Sequence, residues 1–174
     1  MKHDRASRLP LNPMLVRLWP LWIALTVFAV LLVRMLLKVI DLNDGNLIYS
    51  LDDAYIHMSI ARNIVEHGVW GVTQYAYTSS SSSPFWTLLL ALTYAIFGAN
   101  EYSPFTLNIA ASVFLLGVSY AVMRRHHIPA YAIAGGLGII VVFLPLNAYI
   151  FTGLEHVLHA ALAVAFLALG AEAI

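Results

Sequence analysis

The sequence predicts an all-α, polytopic membrane protein, and three observations lead there. Of its 174 residues, 61% are hydrophobic and 10% charged, whereas soluble domains carry about 25% charged residues. Long apolar runs recur along the whole chain, and the mean hydropathy is +0.81. Basic residues gather before the first run and again after a later one, at Arg124 and Arg125, as loops on the cytoplasmic side do. A formal net charge of zero argues against nucleic acid as a partner. The chain has no cysteine, which excludes disulfides, thiolate metal sites and cysteine nucleophiles.

Residues 1–17 set Lys2, Arg5, Arg8 and Arg17 against the single acid Asp4, which predicts a cytoplasmic N-terminus. The first span covers about residues 18–40, enough to cross a hydrocarbon core of about 30 Å. Trp19 and Trp22 stand at its inner end, where an aromatic belt belongs. The run exceeds a signal-peptide core and no small-residue cleavage site follows, so it reads as a retained signal anchor. Arg34 and Lys38, four residues apart, share a helical face near the outer end. They either snorkel to the outer headgroups or turn a cationic face towards an anionic ligand.

Residues 41–103 then form a large extracytoplasmic loop. Its polar part, 41–83, sets Asp41, Asp44, Asp52, Asp53 and Glu66 against one arginine, Arg62. Within it, Ala54 to Glu66 reads as a short helix, because Ile56, Ile60, Ile64 and Val65 form an apolar stripe at helical spacing. Asp52 or Asp53 caps it, and it lies on the membrane surface with the stripe down. The apolar run Phe85 to Phe97 is short for a span, and topology decides its place. The next span, 104–123, runs into Arg124, Arg125, His126 and His127. Were 85–97 to cross, that basic cluster would lie outside, so 85–97 is predicted as a second juxtamembrane helix. A span over about 130–150 crosses outward, with Gly135, Gly136 and Gly138 available for close packing and Pro145 bending its outer end. Phe151–His156 then lies on the same outer side as Asp52 and Asp53, and a last span, about 155–171, returns inward. The sequence ends on an apolar run at Ala171–Ile174 and reads as the N-terminal part of a longer polytopic protein.

The residues that could carry chemistry sit in the outer segments. A helix cap needs one acid, and Asp52-Asp53 supplies two beside apolar surroundings that raise a carboxylate pKa. Such a carboxylate can act as a general base towards a hydroxyl or ligate a divalent cation. Glu155 is either favourably placed at a helix N-terminus or a third carboxylate converging on the same outer pocket. Arg62 can pair with Glu66 at i,i+4 or hold a phosphate. Tyr75, Tyr77, Thr78 and Ser79–Ser83 offer aromatic surface and hydroxyls suited to sugars; alternatively the serine run is a linker. His57 and His67 are too far apart for one metal site, and neither His126-His127 nor His156/His159 forms a ligand cluster, so no metal residue is assigned. No phosphate-binding glycine loop and no Gly-x-Ser-x-Gly elbow is present.

Taken in order, these segments resemble a known family. The basic N-terminus and one span lead to Asp52-Asp53-Ala54-Tyr55-Ile56, Ala61-Arg62-Asn63 and His67-Gly68. Then come Tyr77-Thr78, serines, Pro84-Phe85-Trp86-Thr87 with a leucine-rich run, Phe97-Gly98, and later Thr152-Gly153-Leu154-Glu155. The series is similar to the N-terminal half of GT-C glycosyltransferases, polytopic enzymes that use polyprenyl-phosphate sugars, over about residues 15–170. The nearest likeness is to bacterial arabinofuranosyl- and mannosyltransferase-like members, with protein O-mannosyltransferases more distant. The resemblance implies two juxtamembrane helices in the first outer loop and a catalytic base at Asp52, with Asp53 supporting it or contacting a metal or the acceptor. Arg62 and Glu155 match basic and acidic positions of the family, and with His57 and Tyr77 they are the expected substrate-binding residues. The implied donor is a polyprenyl-phosphate sugar and the implied acceptor a glycan, lipid or protein of the cell envelope. The rival class is a non-catalytic membrane protein, a transporter half or an assembly subunit. A carrier places its charges near the midplane of its spans, and the notable acids here lie in loops.

Overall fold

The computed structural model describes residues 17–171, and the described residues are all-helical. Helix α1 (Trp19–Leu42) starts with Pro20 in its first turn, where the missing N–H is no loss. Its Pro20, Ala24, Phe28 and Leu32 are buried at four-residue spacing, while Ile23, Val27, Val30 and Leu37 stand exposed on the other side. Helix α2 (Asp53–His67) is closed by Gly68 at φ +68°. Gly68 N–H donates to Ile64 O and Val69 N–H to Asn63 O, a left-handed cap that suits glycine. Helix α3 (Pro84–Phe97) again begins with proline.

Helix α4 (Tyr102–Arg125) carries Arg124 and Arg125 in its last turn, where cations favour the helix dipole. Helices α5 (Ala130–Val142), α6 (Leu146–Ile150) and α7 (His156–Gly170) complete the described chain. The apolar stretch 130–150 is thus two helices rather than one. Pro145 lacks the N–H that would continue the α5 ladder, and the chain turns at 143–145 before α6. Elsewhere the boundaries lie within about two residues of those the sequence predicts, the ordinary spread at helix ends.

Helices α1 and α4 are each 24 residues and apolar enough, by length and composition, to cross a membrane. Helices α3, α5 and α7 are shorter apolar helices; α5 alone reaches about 20 Å at 1.5 Å per residue.

Packing divides the molecule into a bundle and a hairpin. Helix α1 lies mainly on α5, and α4 on α7, with α6 wedged among α1, α4, α5 and α7. One core fills this bundle and includes Phe28, Leu116, Ile133, Leu137, Ile150 and Ala161. Helices α2 and α3 pack on each other around a second core of Ala61, Trp86, Leu90, Ala91 and Tyr94. Leu107 of α4 and Leu158 of α7 reach into that second core and tie the hairpin to the bundle.

Candidate functional site

The start of α2 is docked against the loop between α6 and α7. Gly153 makes the contact at φ +71°, a conformation glycine adopts without strain. A Cβ there would lie 2.7 Å from Ala54 Cβ and 2.8 Å from Tyr49 Cδ1, so only glycine fits. Hydrogen bonds hold the same seam. Trp86 Nε1–H donates to Gly153 O at 3.2 Å, and Ser50 donates to Phe151 O from its amide at 3.0 Å and its hydroxyl at 3.3 Å. Tyr49 pins the neighbouring loop: its hydroxyl donates to Glu101 O and accepts from Phe105 N–H at 3.1 Å. Its own N–H donates to Tyr55 Oη at 3.0 Å. Burial pushes the Tyr49 hydroxyl well above the usual phenol range.

This seam gathers three of the predicted site residues. His57 follows Asp53 by one helical turn and is 1% exposed. Its pKa is lowered, first by burial, while the Glu155 and Asp53 carboxylates pull the other way. Glu155 is 8% exposed and its Oε2 has no hydrogen-bond partner among the described residues. A buried acceptor left unpaired costs about 1–3 kcal/mol, so this oxygen is available to a donor from a ligand.

Around His57 the serine tract closes a hydroxyl cluster. Thr87 Oγ1 lies 3.1 Å from Ser83 O, to which it can donate, and 2.8 Å from His57 Nδ1. Ser82 Oγ lies 3.4 Å from His57 Nε2, and the roles at both ring nitrogens follow the imidazole tautomer. Ser81 Oγ lies 2.9 Å from Thr87 Oγ1 and 3.3 Å from Nδ1. The tract, open in sequence to either a linker or a hydroxyl surface, is a second wall of the site.

The two adjacent acids diverge. Asp53 shares its side of α2 with His57, one turn on. Asp52, which begins the helix with αR dihedrals, lies on the side that carries Tyr55, Ser59 and Arg62 at helical spacing. Both acids are exposed. Arg62 Nε donates to both Glu66 oxygens at 2.9 and 3.0 Å, the i,i+4 pair open to it from the sequence. Tyr77 is 71% exposed, and no hydrogen bond or ring contact among the described residues joins it to the seam. Ser81 and Ser82 fall in the tract the sequence offers as sugar-binding hydroxyls, whereas Thr87 and Trp86 enter the sequence reading only as part of the family-like motif.

An apolar groove of about 620 Å³ opens beside the same loop, lined by Leu115, Phe143, Leu146, Tyr149, His156 and Val157 among others. The Tyr149 and His156 rings meet edge to face, 5.7 Å apart. No group of three His, Asp or Glu side chains among the described residues could hold a metal ion. Chemically, the seam offers an exposed carboxylate, a buried carboxylate with an open oxygen, and an apolar groove alongside.

Comparison with protein-family models, with curated proteins and with solved structures gives no match to this chain.

Proposed function

We propose that this chain is the N-terminal part of a multi-pass inner-membrane glycosyltransferase of the GT-C type, with its N-terminus cytoplasmic. It transfers a sugar from a polyprenyl phosphate to an acceptor hydroxyl on the extracytoplasmic face, in the assembly of envelope glycans, glycolipids or glycoproteins. One observation carries the reading: the helix that begins with Asp52-Asp53 is docked on Thr152-Gly153-Leu154-Glu155 through a contact only glycine permits. The two motifs that carry the family resemblance, about 100 residues apart in the chain, thereby form one seam. Charge placement supports it further, because the acids lie at helix ends and in loops, where an interfacial enzyme needs them.

In this mechanism Asp52, exposed at the head of α2, takes the proton of the acceptor hydroxyl. The resulting oxygen nucleophile attacks the anomeric carbon, the bond from that carbon to the phosphate oxygen breaks, and the lipid phosphate leaves with the electron pair. A single displacement inverts the anomeric centre. Asp53, His57 and Glu155 form the wall behind the reacting sugar, with Glu155 Oε2 accepting from a substrate hydroxyl. The groove beside His156 takes apolar chain. The leaving phosphate needs a cation. Arg62 is engaged by Glu66, so the exposed pair Arg34 and Lys38 is the better source within the described residues.

The test is transfer by membranes containing the full gene product, supplied with polyprenyl-phosphate pentoses and hexoses and, separately, with nucleotide sugars. Transfer from at least one lipid-linked donor and from no nucleotide sugar is the expected result. Transfer from nucleotide sugars alone, or from no donor, contradicts the proposal.

A further inference from the structure

A second polar groove, of about 270 Å³, lies on the other side of α2, between that helix and the turn that joins α3 to α4. Tyr55, Ser59, Arg62, Tyr94, Asn100 and Glu101 are among its lining residues. Tyr94 is the unusual member. Its side chain is 3% exposed, it lines the groove, and its hydroxyl makes no hydrogen bond among the described residues. Burial, and then the Glu101 carboxylate, push that hydroxyl up to about 12, with Arg62 acting in the opposite sense. It therefore stays a neutral donor that needs an acceptor.

The remaining groups are arranged to serve both roles of a sugar hydroxyl, which donates one hydrogen bond and accepts others. Ser59 Oγ makes no hydrogen bond among the described residues, and the bonds of Arg62 to Glu66 run from Nε alone, leaving the Nη groups to point elsewhere. The Glu101 carboxylate supplies acceptors. Asn100 is committed to the turn itself, donating to Gly98 O and accepting from Tyr102 N–H and Ser103 Oγ, which keeps Glu101 in place. Tyr55 is 37% exposed and brings an aromatic ring to the groove, the kind of surface that packs on the apolar C–H side of a sugar ring. Charge argues against a phosphate here: Arg62 is paired with Glu66 and Glu101 lines the same groove, so negative charge is in excess.

We infer that this groove is a carbohydrate subsite that binds one neutral sugar residue through Tyr94, Ser59, Arg62 and Glu101. Its ligand class follows from the groove's own chemistry. Its role as the seat of an acceptor sugar, delivering a hydroxyl towards Asp52 on the same side of α2, rests on the glycosyl-transfer reading.

The experiment is saturation-transfer-difference NMR on the detergent-solubilised full gene product, with methyl pentofuranosides and methyl hexopyranosides as probes and inorganic phosphate as competitor. Wild-type protein is expected to saturate ring protons of at least one glycoside. Tyr94→Phe should reduce that signal at least five-fold, and Ser59→Trp, which fills the groove from its half-buried helix wall, should abolish it. Both variants should keep the wild-type melting temperature within a few degrees. Inorganic phosphate should not displace the glycoside. No saturation by any glycoside, equal saturation in both folded variants, or displacement by phosphate each overturns the inference. Asp52→Asn separates the two proposals. Saturation retained with transfer lost supports both. Transfer by the wild type with no glycoside saturation removes the groove and leaves the transferase; saturation without any transfer does the reverse.

Discussion

His57 shows how burial ties one side chain's protonation to the fold. It is buried with its Nδ1 2.8 Å from Thr87 Oγ1, and burial keeps its pKa below that of a free imidazole. The unfolded chain therefore binds the extra proton more readily than the folded one. Stability from this group is complete above pH 6.5, the ordinary histidine value, and is lost as pH falls from there towards the lowered folded value. The slope is at most about 1.4 kcal/mol per pH unit for one group. Thermal melting in detergent from pH 7.5 to pH 5 should show this fall, and His57→Asn, which keeps a polar group near Thr87 and does not titrate, should flatten it. An unchanged slope in the variant would remove His57 as its source. Gly153→Ala is expected to destabilise by about 1–3 kcal/mol, since the new Cβ strikes Ala54 and Tyr49 and forces a shift in a packed seam. Denaturant titration reads that directly; a neutral outcome would mean the seam is loose. At this scale the sequence was partly legible. The Arg62–Glu66 pair follows from spacing alone, whereas the His57 cluster depends on α3 lying against α2, which no local pattern specifies.

At the scale of elements, Trp86 fastens the α2–α3 hairpin, which carries the reacting acids in the proposed function. The indole is fully buried and its N–H meets Gly153 O across the seam. Trp86→Phe keeps most of the apolar surface and removes that bond, so it should cost about 1–3 kcal/mol by thermal or chemical melting. Transfer should fall further than stability does, because the hairpin carries both acids. A variant that loses stability and keeps wild-type transfer would show that the seam does not set the acid positions. Helix existence was legible throughout, since apolar spacing, Pro84 and Gly68 mark the ends of α2 and α3. The break after Val142 was not. Pro145 signals a bend, but whether a helix bends or stops at a proline depends on packing around the freed groups, here Leu146 and Ile150 buried against the bundle.

For the whole molecule, the proposed topology sets the hairpin outside and the turn after α4 inside. The exposed apolar side of α1, with Ile23, Val27, Val30 and Leu37, is the surface such a topology turns to lipid. The chain has no cysteine, so single introduced cysteines give clean labels. Tyr75→Cys should react with a membrane-impermeant maleimide in intact spheroplasts, and His126→Cys only after permeabilisation. Equal reactivity of both, or the opposite pattern, would contradict the topology. All-helical class was legible from hydropathy and charge. How the outer segments meet was not, because the docking of α2 on the Gly153 loop joins residues about 100 positions apart.

The central claim is that the acid at the head of α2, on the side facing the carbohydrate groove, takes the acceptor's proton. Asp52→Asn and Asp53→Asn, compared in the same transfer assay at saturating lipid-linked donor, test it most directly. The account predicts that Asp52→Asn lowers kcat by about 10²–10⁴-fold with the melting temperature unchanged, and that Asp53→Asn costs much less. Undiminished transfer by Asp52→Asn, or the larger loss at Asp53, would contradict it.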